Sequence, residues 1–353
     1  MKRVLMSGNE AIAEGAIRAG CCFYAGYPIT PQNELIGYMS VHMPENKRIF
    51  IQAESEIAAI NMVFGASAAG SRAMTSSSSP GISLKQEGIS YIAGAQLPAV
   101  IVNIMRAGPG LGNIWPAQSD YFQATRGGGN GEYRCIVLAP SSVQESFDMM
   151  FSAFNLADKY RNPVIVLGDG MLGQMMEPVW LPVAGCRLPV AVKKPWALTG
   201  CKEREQNIVK SFYMHEGDLE KFNLLLQKKY AQIMDSEQRY EEIDTKDAKI
   251  ILVAYGSMAR IAKSAVKSLR AKGIKTGLIR PITLWPFPVK AFQQANRQTG
   301  EQANYLSIEM SYGQMVEDVR LAVCGKARVE FLGRSGGGVP TEEEIIKKVN
   351  SIK

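Results

Sequence analysis

Histidine is nearly absent from this chain: its 353 residues hold two, His42 and His215, far apart in sequence. That excludes a histidine-built zinc centre within one chain. Cysteine is also sparse, and none of the six (Cys21, Cys22, Cys135, Cys186, Cys201, Cys324) stands in a Cys-x-x-Cys spacing. Cluster and zinc sites need such spacings, so the chain carries no iron–sulfur cluster by itself, and its thiols are expected to be reduced and mostly packed. No apolar run approaches the roughly 18 residues of a membrane span, and the start, Met1-Lys2-Arg3-Val4, lacks a secretory segment. No membrane association and a cytoplasmic location are therefore expected. Strong charge of one sign is missing too. The net charge is +7, and the pairs Lys193-Lys194, Lys228-Lys229 and Lys347-Lys348 lie apart without interleaved aromatics. This pattern argues against nucleic-acid binding and for solvated surface charge.

What is present is a sizeable core, with 46% hydrophobic residues, enough for two domains. Up to about residue 181, short apolar runs (Cys21–Tyr24, Ile49–Ile51, Ala73–Thr75, Ala99–Met105, Cys135–Leu138, Val164–Leu167) alternate with helix-period segments (Gln32–Met43, Glu56–Ala69, Val143–Ala157). Such alternation predicts an α/β fold with a doubly wound parallel sheet covered by helices. Residues 182–246 break the rhythm, running from Leu181-Pro182 through Pro195-Trp196 into a charged helical stretch, Leu219–Glu242, and read as an ordered connecting arm. From 247 to 353 a second, smaller βα series follows, with strands expected at Ile250–Tyr255, Thr276–Arg280, Ala303–Glu309 and Arg328–Phe331.

Ligands in open α/β sheets sit beyond the carboxyl ends of the strands, which directs attention to the polar residues there. Thr30 follows the first strand run in the loop Tyr27-Pro28-Ile29-Thr30-Pro31, which its prolines stiffen. Ser76–Ser79 with Pro80-Gly81 follow another, and Arg106 ends Ala99–Met105, where a guanidinium is suited to hold a carboxylate. Alone, Thr30 reads as a turn-stabilising hydroxyl and Arg106 equally as a salt bridge or cap. Glu56 shares one helical face with Ile60 and Val63. It either complements the helix dipole, a role Glu54 could also fill, or is a buried carboxylate able to share a proton.

These motifs, in this order, resemble the alpha subunit of the 2-oxoacid:ferredoxin oxidoreductases. The resemblance rests on Tyr27–Pro31, Glu54–Ile60, Gly65–Gly70, Ser79–Leu84, Met105–Gly110 and, in the second domain, Arg280–Pro288 and Glu309–Met315. It implies a pyrimidine-binding domain of the thiamine diphosphate type over residues 1–181, then a transketolase C-terminal-like α/β domain over 247–353 that supports packing. It further implies that Glu56 protonates the pyrimidine ring of thiamine diphosphate, that Tyr27, Pro28 and Ile29 line the cofactor, and that Thr30 and Arg106 hold the substrate carboxylate. No metal ligand is assigned to this chain. A beta subunit would bind the diphosphate through Mg2+, and gamma and ferredoxin-like delta subunits would complete the complex. The iron–sulfur clusters would lie in partner chains, with ferredoxin as electron acceptor and coenzyme A as co-substrate. Arg106–Gly112, Trp115-Pro116 and Tyr121–Thr125 look more like the branched-chain (3-methyl-2-oxobutanoate) enzymes than the 2-oxoglutarate ones. A 2-oxoglutarate or pyruvate enzyme, a lipoamide-dependent oxoacid dehydrogenase component and an assembly subunit without chemistry are the alternatives. Gly168-Asp169-Gly170 copies half of a magnesium–diphosphate motif without its later asparagines and is expected to be a strand-end turn, while Arg126–Gly131 is expected to be a flexible connection.

Overall fold

A computed structural model describes residues 2–182, 193–300 and 303–352. Cys186 and most of the Pro-rich start of the expected arm lie outside the described residues. In chain order the strands of the first unit are β1 (Lys2–Ser7), β2 (Phe23–Gly26), β3 (Ile49–Gln52), β4 (Ala73–Ser77), β5 (Ala99–Met105), β6 (Ile136–Leu138), β7 (Pro163–Asp169) and β8 (Met176–Leu181). Those that follow are β9 (Tyr240–Ile243), β10 (Ile250–Val253), β11 (Thr276–Pro281), β12 (Thr283–Trp285), β13 (Asn304–Glu309) and β14 (Val329–Gly333).

The main sheet runs β12-β6-β7-β5-β4-β2-β3, parallel throughout except for β12. Its central strands β5 and β7 are buried at every position, which is why they read as unbroken apolar runs. β2 and β3 turn towards one edge while β4, β5 and β7 build towards the other, so the topological switch point lies between β2 and β4. β1 and β8 form a separate antiparallel pair, Lys2 opposite Leu181 and Ser7 opposite Met176. The second sheet, β14-β13-β10-β11-β9, is parallel apart from β9.

Two elements depart from the expected division of the chain. β9 falls in the span expected for the arm yet pairs with β11, and the expected helix Leu219–Glu242 accordingly stops at Ser236. Thr283–Trp285, within the second series, adds antiparallel to the edge strand β6 of the first sheet. One core cluster runs through both units, joining Ile60, Val63, Ile101 and Tyr121 to Leu284, Phe292 and Tyr305.

One buried carboxylate reinforces the junction, and a second fixes a turn within the later unit. Asp169 accepts from the Leu172 amide at 3.0 Å and from the Ser257 amide and hydroxyl at 2.9 and 2.5 Å, so Gly168-Asp169-Gly170 is a turn that clasps the start of the helix Gly256–Ala271. Glu309, wholly buried, accepts from the Ser307 and Ser311 hydroxyls and from the amides of Gln314, Met315 and Val316, fastening the start of the helix Met315–Val323. The glycine-rich Arg126–Gly131 is not a free connection. The Tyr133 hydroxyl accepts from the Gly128 and Gly129 amides, and a Cβ at Gly129 would meet the Gln86 carbonyl at 2.5 Å.

Candidate functional site

Loops from the carboxyl ends of three neighbouring strands, β2, β4 and β5, meet beside the switch point. The β2 loop brings Tyr27, Pro28, Ile29 and Thr30, the first two exposed and the others half-buried. Gln32 ties this loop to the sheet, because its side-chain oxygen accepts from the Ser76 hydroxyl at 2.7 Å. Thr30 Oγ1 accepts from Asn33 Nδ2 at 3.2 Å, so the turn-stabilising reading of that hydroxyl has a physical basis.

Arg106, only 7% exposed, continues β5. Its Nη1 donates to the Thr30 carbonyl at 2.9 Å and its Nη2 to the Leu111 carbonyl at 3.1 Å, while its buried Nε has no partner. Thr30 and Arg106 are thus brought together, through the Thr30 backbone. No carboxylate within the chain pairs with Arg106 among the described residues. A guanidinium carries five N–H donors, so the two bonds leave this one able to grip an anion. Its backbone is held from below: the Arg106 amide donates to Ser79 Oγ at 3.0 Å, and Ser79 lies 2.5 Å from an Asp120 oxygen that also accepts from Asn103. Burial raises the Asp120 carboxyl, with the Ser79 and Asn103 hydrogen bonds working the other way.

Glu56 opens the helix Glu56–Ala68, capped by Ser55, whose hydroxyl accepts from the Ala58 amide at 3.1 Å. With the cap supplied by Ser55, Glu56 is not needed to satisfy the helix start. It is 6% exposed, on the same buried face as Ile60 and Val63. Its carboxylate forms no hydrogen bond among the described residues. It lies against Gly81, where an added Cβ would stand 2.5 Å from Glu56 Oε1 and closer still to Ser77 Oγ. The glycine therefore makes the room that the carboxylate occupies. Two turns later, Gly88 admits Ile60, whose Cγ2 would be 2.5 Å from a Cβ there. Between the two glycines Lys85, wholly buried, donates to the Glu56 carbonyl at 3.2 Å.

The turn Ser77–Gly81 thus links the parts, touching Glu56 on one side and, through Ser79, Arg106 on the other. The buried hydroxyls of Ser77 and Ser78 have no partner. Buried polar groups are nearly always hydrogen-bonded, so these orphans at the strand end call for a partner such as a water or a ligand. The segments that carry Glu56 and Ser79, and the loop after Arg106, expose the apolar side chains Ile57, Leu84, Leu111, Ile114 and Trp115, with Leu111 81% exposed. Sequence reasoning passed over Lys85 and Asp120. The available signal for Lys85 was its place on the face that Gly81 and Gly88 share; Asp120, in an irregular segment, gave none.

The family described as "Pyruvate flavodoxin/ferredoxin oxidoreductase, thiamine diP-bdg" matches residues 14–244, and "Pyruvate:ferredoxin oxidoreductase core domain II" matches 248–345. Ketoisovalerate oxidoreductase subunit VorB of Methanothermobacter marburgensis is 52% identical over 100% of this chain and 98% of its own length. The 2-oxoglutarate synthase subunit KorA of Methanothermobacter thermautotrophicus is 36% identical, over 98% and 97%. Among solved structures, 2-oxoglutarate:ferredoxin oxidoreductase from Magnetococcus marinus, with 2-oxoglutarate, coenzyme A and succinyl-CoA bound, matches with a TM-score of 0.85 and 27% identity over 99% of this chain. The present chain spans 65% of that one. A split-gene transketolase, 14% identical with a TM-score of 0.61, shares the fold. The chain belongs to the 2-oxoacid:ferredoxin oxidoreductase family, as a subunit of the alpha type.

Proposed function

We propose that this chain supplies the pyrimidine-facing half of a thiamine diphosphate site in a complex that oxidatively decarboxylates a branched-chain 2-oxoacid, such as 3-methyl-2-oxobutanoate, to acyl-CoA and CO2. The observation that carries the proposal is the pairing of a buried, unbonded Glu56 carboxylate with an Arg106 guanidinium that keeps free donors, joined by one turn in which the Ser77 and Ser78 hydroxyls have no partner. These residues fit the cofactor: a carboxylate at the bottom of an apolar stripe is what a ring nitrogen needs in order to share a proton. When bound, thiamine diphosphate would supply a nucleophilic carbon for the 2-oxo group and, next to it, a cationic ring nitrogen able to take up the electrons of the C1–C2 bond. Glu56 holds or yields the proton at the ring nitrogen, Tyr27, Pro28 and Ile29 line the ring, and Arg106 with Thr30 orients the substrate carboxylate. The exposed apolar rim suits a partner surface that closes the site from outside.

The beta subunit is taken to hold Mg2+ and the diphosphate, with iron–sulfur clusters in partner chains, gamma and delta subunits completing the assembly, and ferredoxin in the cytoplasm as acceptor. The 52%-identical relative named for ketoisovalerate supports the branched-chain substrate over 2-oxoglutarate or pyruvate. Turnover of the reconstituted complex, with coenzyme A and benzyl viologen, is compared on 3-methyl-2-oxobutanoate, 2-oxoglutarate and pyruvate, in wild type and Glu56→Gln. The branched acid is expected to give the largest kcat/KM, and the variant to lose on the order of 100-fold or more. Preference for 2-oxoglutarate would overturn the substrate assignment; turnover independent of thiamine diphosphate, or unchanged in the variant, would overturn the cofactor role.

A further inference from the structure

Lys85 is wholly buried, yet the fold gives its charge little. Of its three ammonium donors one is used, at 3.2 Å to the Glu56 carbonyl, and no carboxylate oxygen lies within ion-pair distance among the described residues. It sits against the first turn of the helix Glu56–Ala68, the positive end of that helix's dipole, where a cation is disfavoured. Buried lysines without an ion pair are costly, and a methionine of similar length would pack without that penalty. The charged groups facing it are few. The helix Glu56–Ala68 contributes Glu56, β5 has no titratable side chain, and β7 ends in Asp169, whose oxygens are taken by Leu172 and Ser257. Burial pushes the Lys85 amine down to about 8, and Glu56 acts in the opposite direction.

We propose that Lys85 is a positioning residue for Glu56, fixing that residue's backbone and keeping a positive charge beside its carboxylate while the carboxylate exchanges a proton with the cofactor ring. The inference rests on the cofactor role of Glu56. Because Lys85 reaches a carbonyl, it acts through geometry; because it carries charge, its action fades as the amine deprotonates.

The test is a double-mutant cycle on the reconstituted complex, reading thiamine diphosphate affinity by titration calorimetry and kcat as a function of pH. Lys85→Met in the Glu56 background is expected to weaken cofactor affinity about tenfold, the loss of one partly screened charge contact, and wild type, unlike this variant, is expected to lose kcat as pH rises through about 8. The KM for the oxoacid should stay within about twofold, since Lys85 does not face the substrate site. In the Glu56→Gln background, which keeps the bond to the residue 56 carbonyl but removes the carboxylate charge, the same substitution should weaken affinity clearly less than tenfold. Equal losses in both backgrounds would show that Lys85 acts without regard to the Glu56 carboxylate and overturn the proposal, as would a wild-type pH profile in Lys85→Met. Lys85→Gln, which keeps a donor for the carbonyl, is the second variant; if neither variant assembles, the lysine serves folding and the proposal also fails. If Glu56→Gln alone leaves affinity and turnover intact, it is the cofactor role of Glu56 that fails.

Discussion

Gly81→Ala adds one carbon where Glu56 Oε1 would be 2.5 Å away and Glu56 Cγ 2.9 Å. Contact with a Cβ becomes ordinary at 3.4 Å, so the carboxylate must retreat by about 0.9 Å. Ser77 cannot absorb the strain instead, because it is buried in β4 and its hydroxyl is crowded by the same carbon. Two effects on stability oppose one another: alanine improves the helix Ser79–Gly94 by roughly 0.5–1 kcal/mol, while overpacking costs about 1–3 kcal/mol. A net loss of about 1–2 kcal/mol leaves the protein folded, so the damage should show in the chemistry. A displacement of about 1 Å in a catalytic group lowers rates on the order of 100-fold. The assay is kcat of the reconstituted complex on 3-methyl-2-oxobutanoate, with thermal unfolding measured alongside. Gly65→Ala is the control: it lies in the helix Glu56–Ala68 with nothing within 4 Å of its added Cβ, and should keep full activity with a slightly raised unfolding temperature. Wild-type kcat in Gly81→Ala would refute the claim that the room beside Gly81 sets the working position of Glu56.

Arg106→Lys keeps the charge but loses the fork that reaches both the Thr30 and Leu111 carbonyls. With charge-assisted hydrogen bonds worth about 1.5–3 kcal/mol, kcat/KM for the oxoacid is expected to fall roughly 10- to 100-fold; an unchanged value would remove Arg106 from the substrate site. At the junction of the units, Glu145 receives Arg280 at 2.7 and 2.8 Å. Burial would raise this carboxyl, but the Arg280 hydrogen bonds and charge outweigh it and hold the group below its ordinary value. The stability it contributes is therefore present above the ordinary glutamate range and lost as pH falls through the lower folded value. Glu145→Gln should cost about 1 kcal/mol at pH 7 after solvent screening, and progressively less as the pH is lowered below about 4. A cost that stays constant in urea titrations across that range would show the pair to be inert.

The seven residues Ala99–Met105 match a strand end to end because both faces are covered, so hydrophobicity alone marks it. The run Cys21–Tyr24 is displaced: the strand is Phe23–Gly26, and Ala25 and Gly26, though buried, are too small to extend an apolar signal. β1 and β8 are mixed in polarity and meet across more than 160 residues of chain, a pairing no local pattern encodes. Glu241 and Glu242 read as helical, yet they lie in an edge strand whose partner β11 decides the conformation. At the candidate site, Thr30, Glu56 and Arg106 stand out in the sequence because each follows a strand end or breaks an apolar face. Lys85 does not, since a lysine between Leu84 and Gln86 reads as solvated surface until Gly81 and Gly88 are seen to draw two helices together.

That helix contact explains how a carboxylate can be buried here without a partner of its own. Glycines at 81 and 88 lower the helix Ser79–Gly94 onto Glu56 and Ile60, and Lys85 between them offsets part of the charge. Closing the site from within would need partners for Ser77, Ser78 and Arg106 Nε as well, and the chain provides none among the described residues. Leaving such groups unsatisfied costs roughly 1–3 kcal/mol each. Ile57, Leu84, Leu111 and Trp115 remain exposed on the same segments. A surface that is apolar at its rim and polar and unsatisfied at its centre is poor as solvent-facing protein and well matched to an interface around a polar ligand. The cost of both features is recovered together only when another surface and the ligand arrive, which is the physical reason for expecting the chain to act as one part of a larger enzyme.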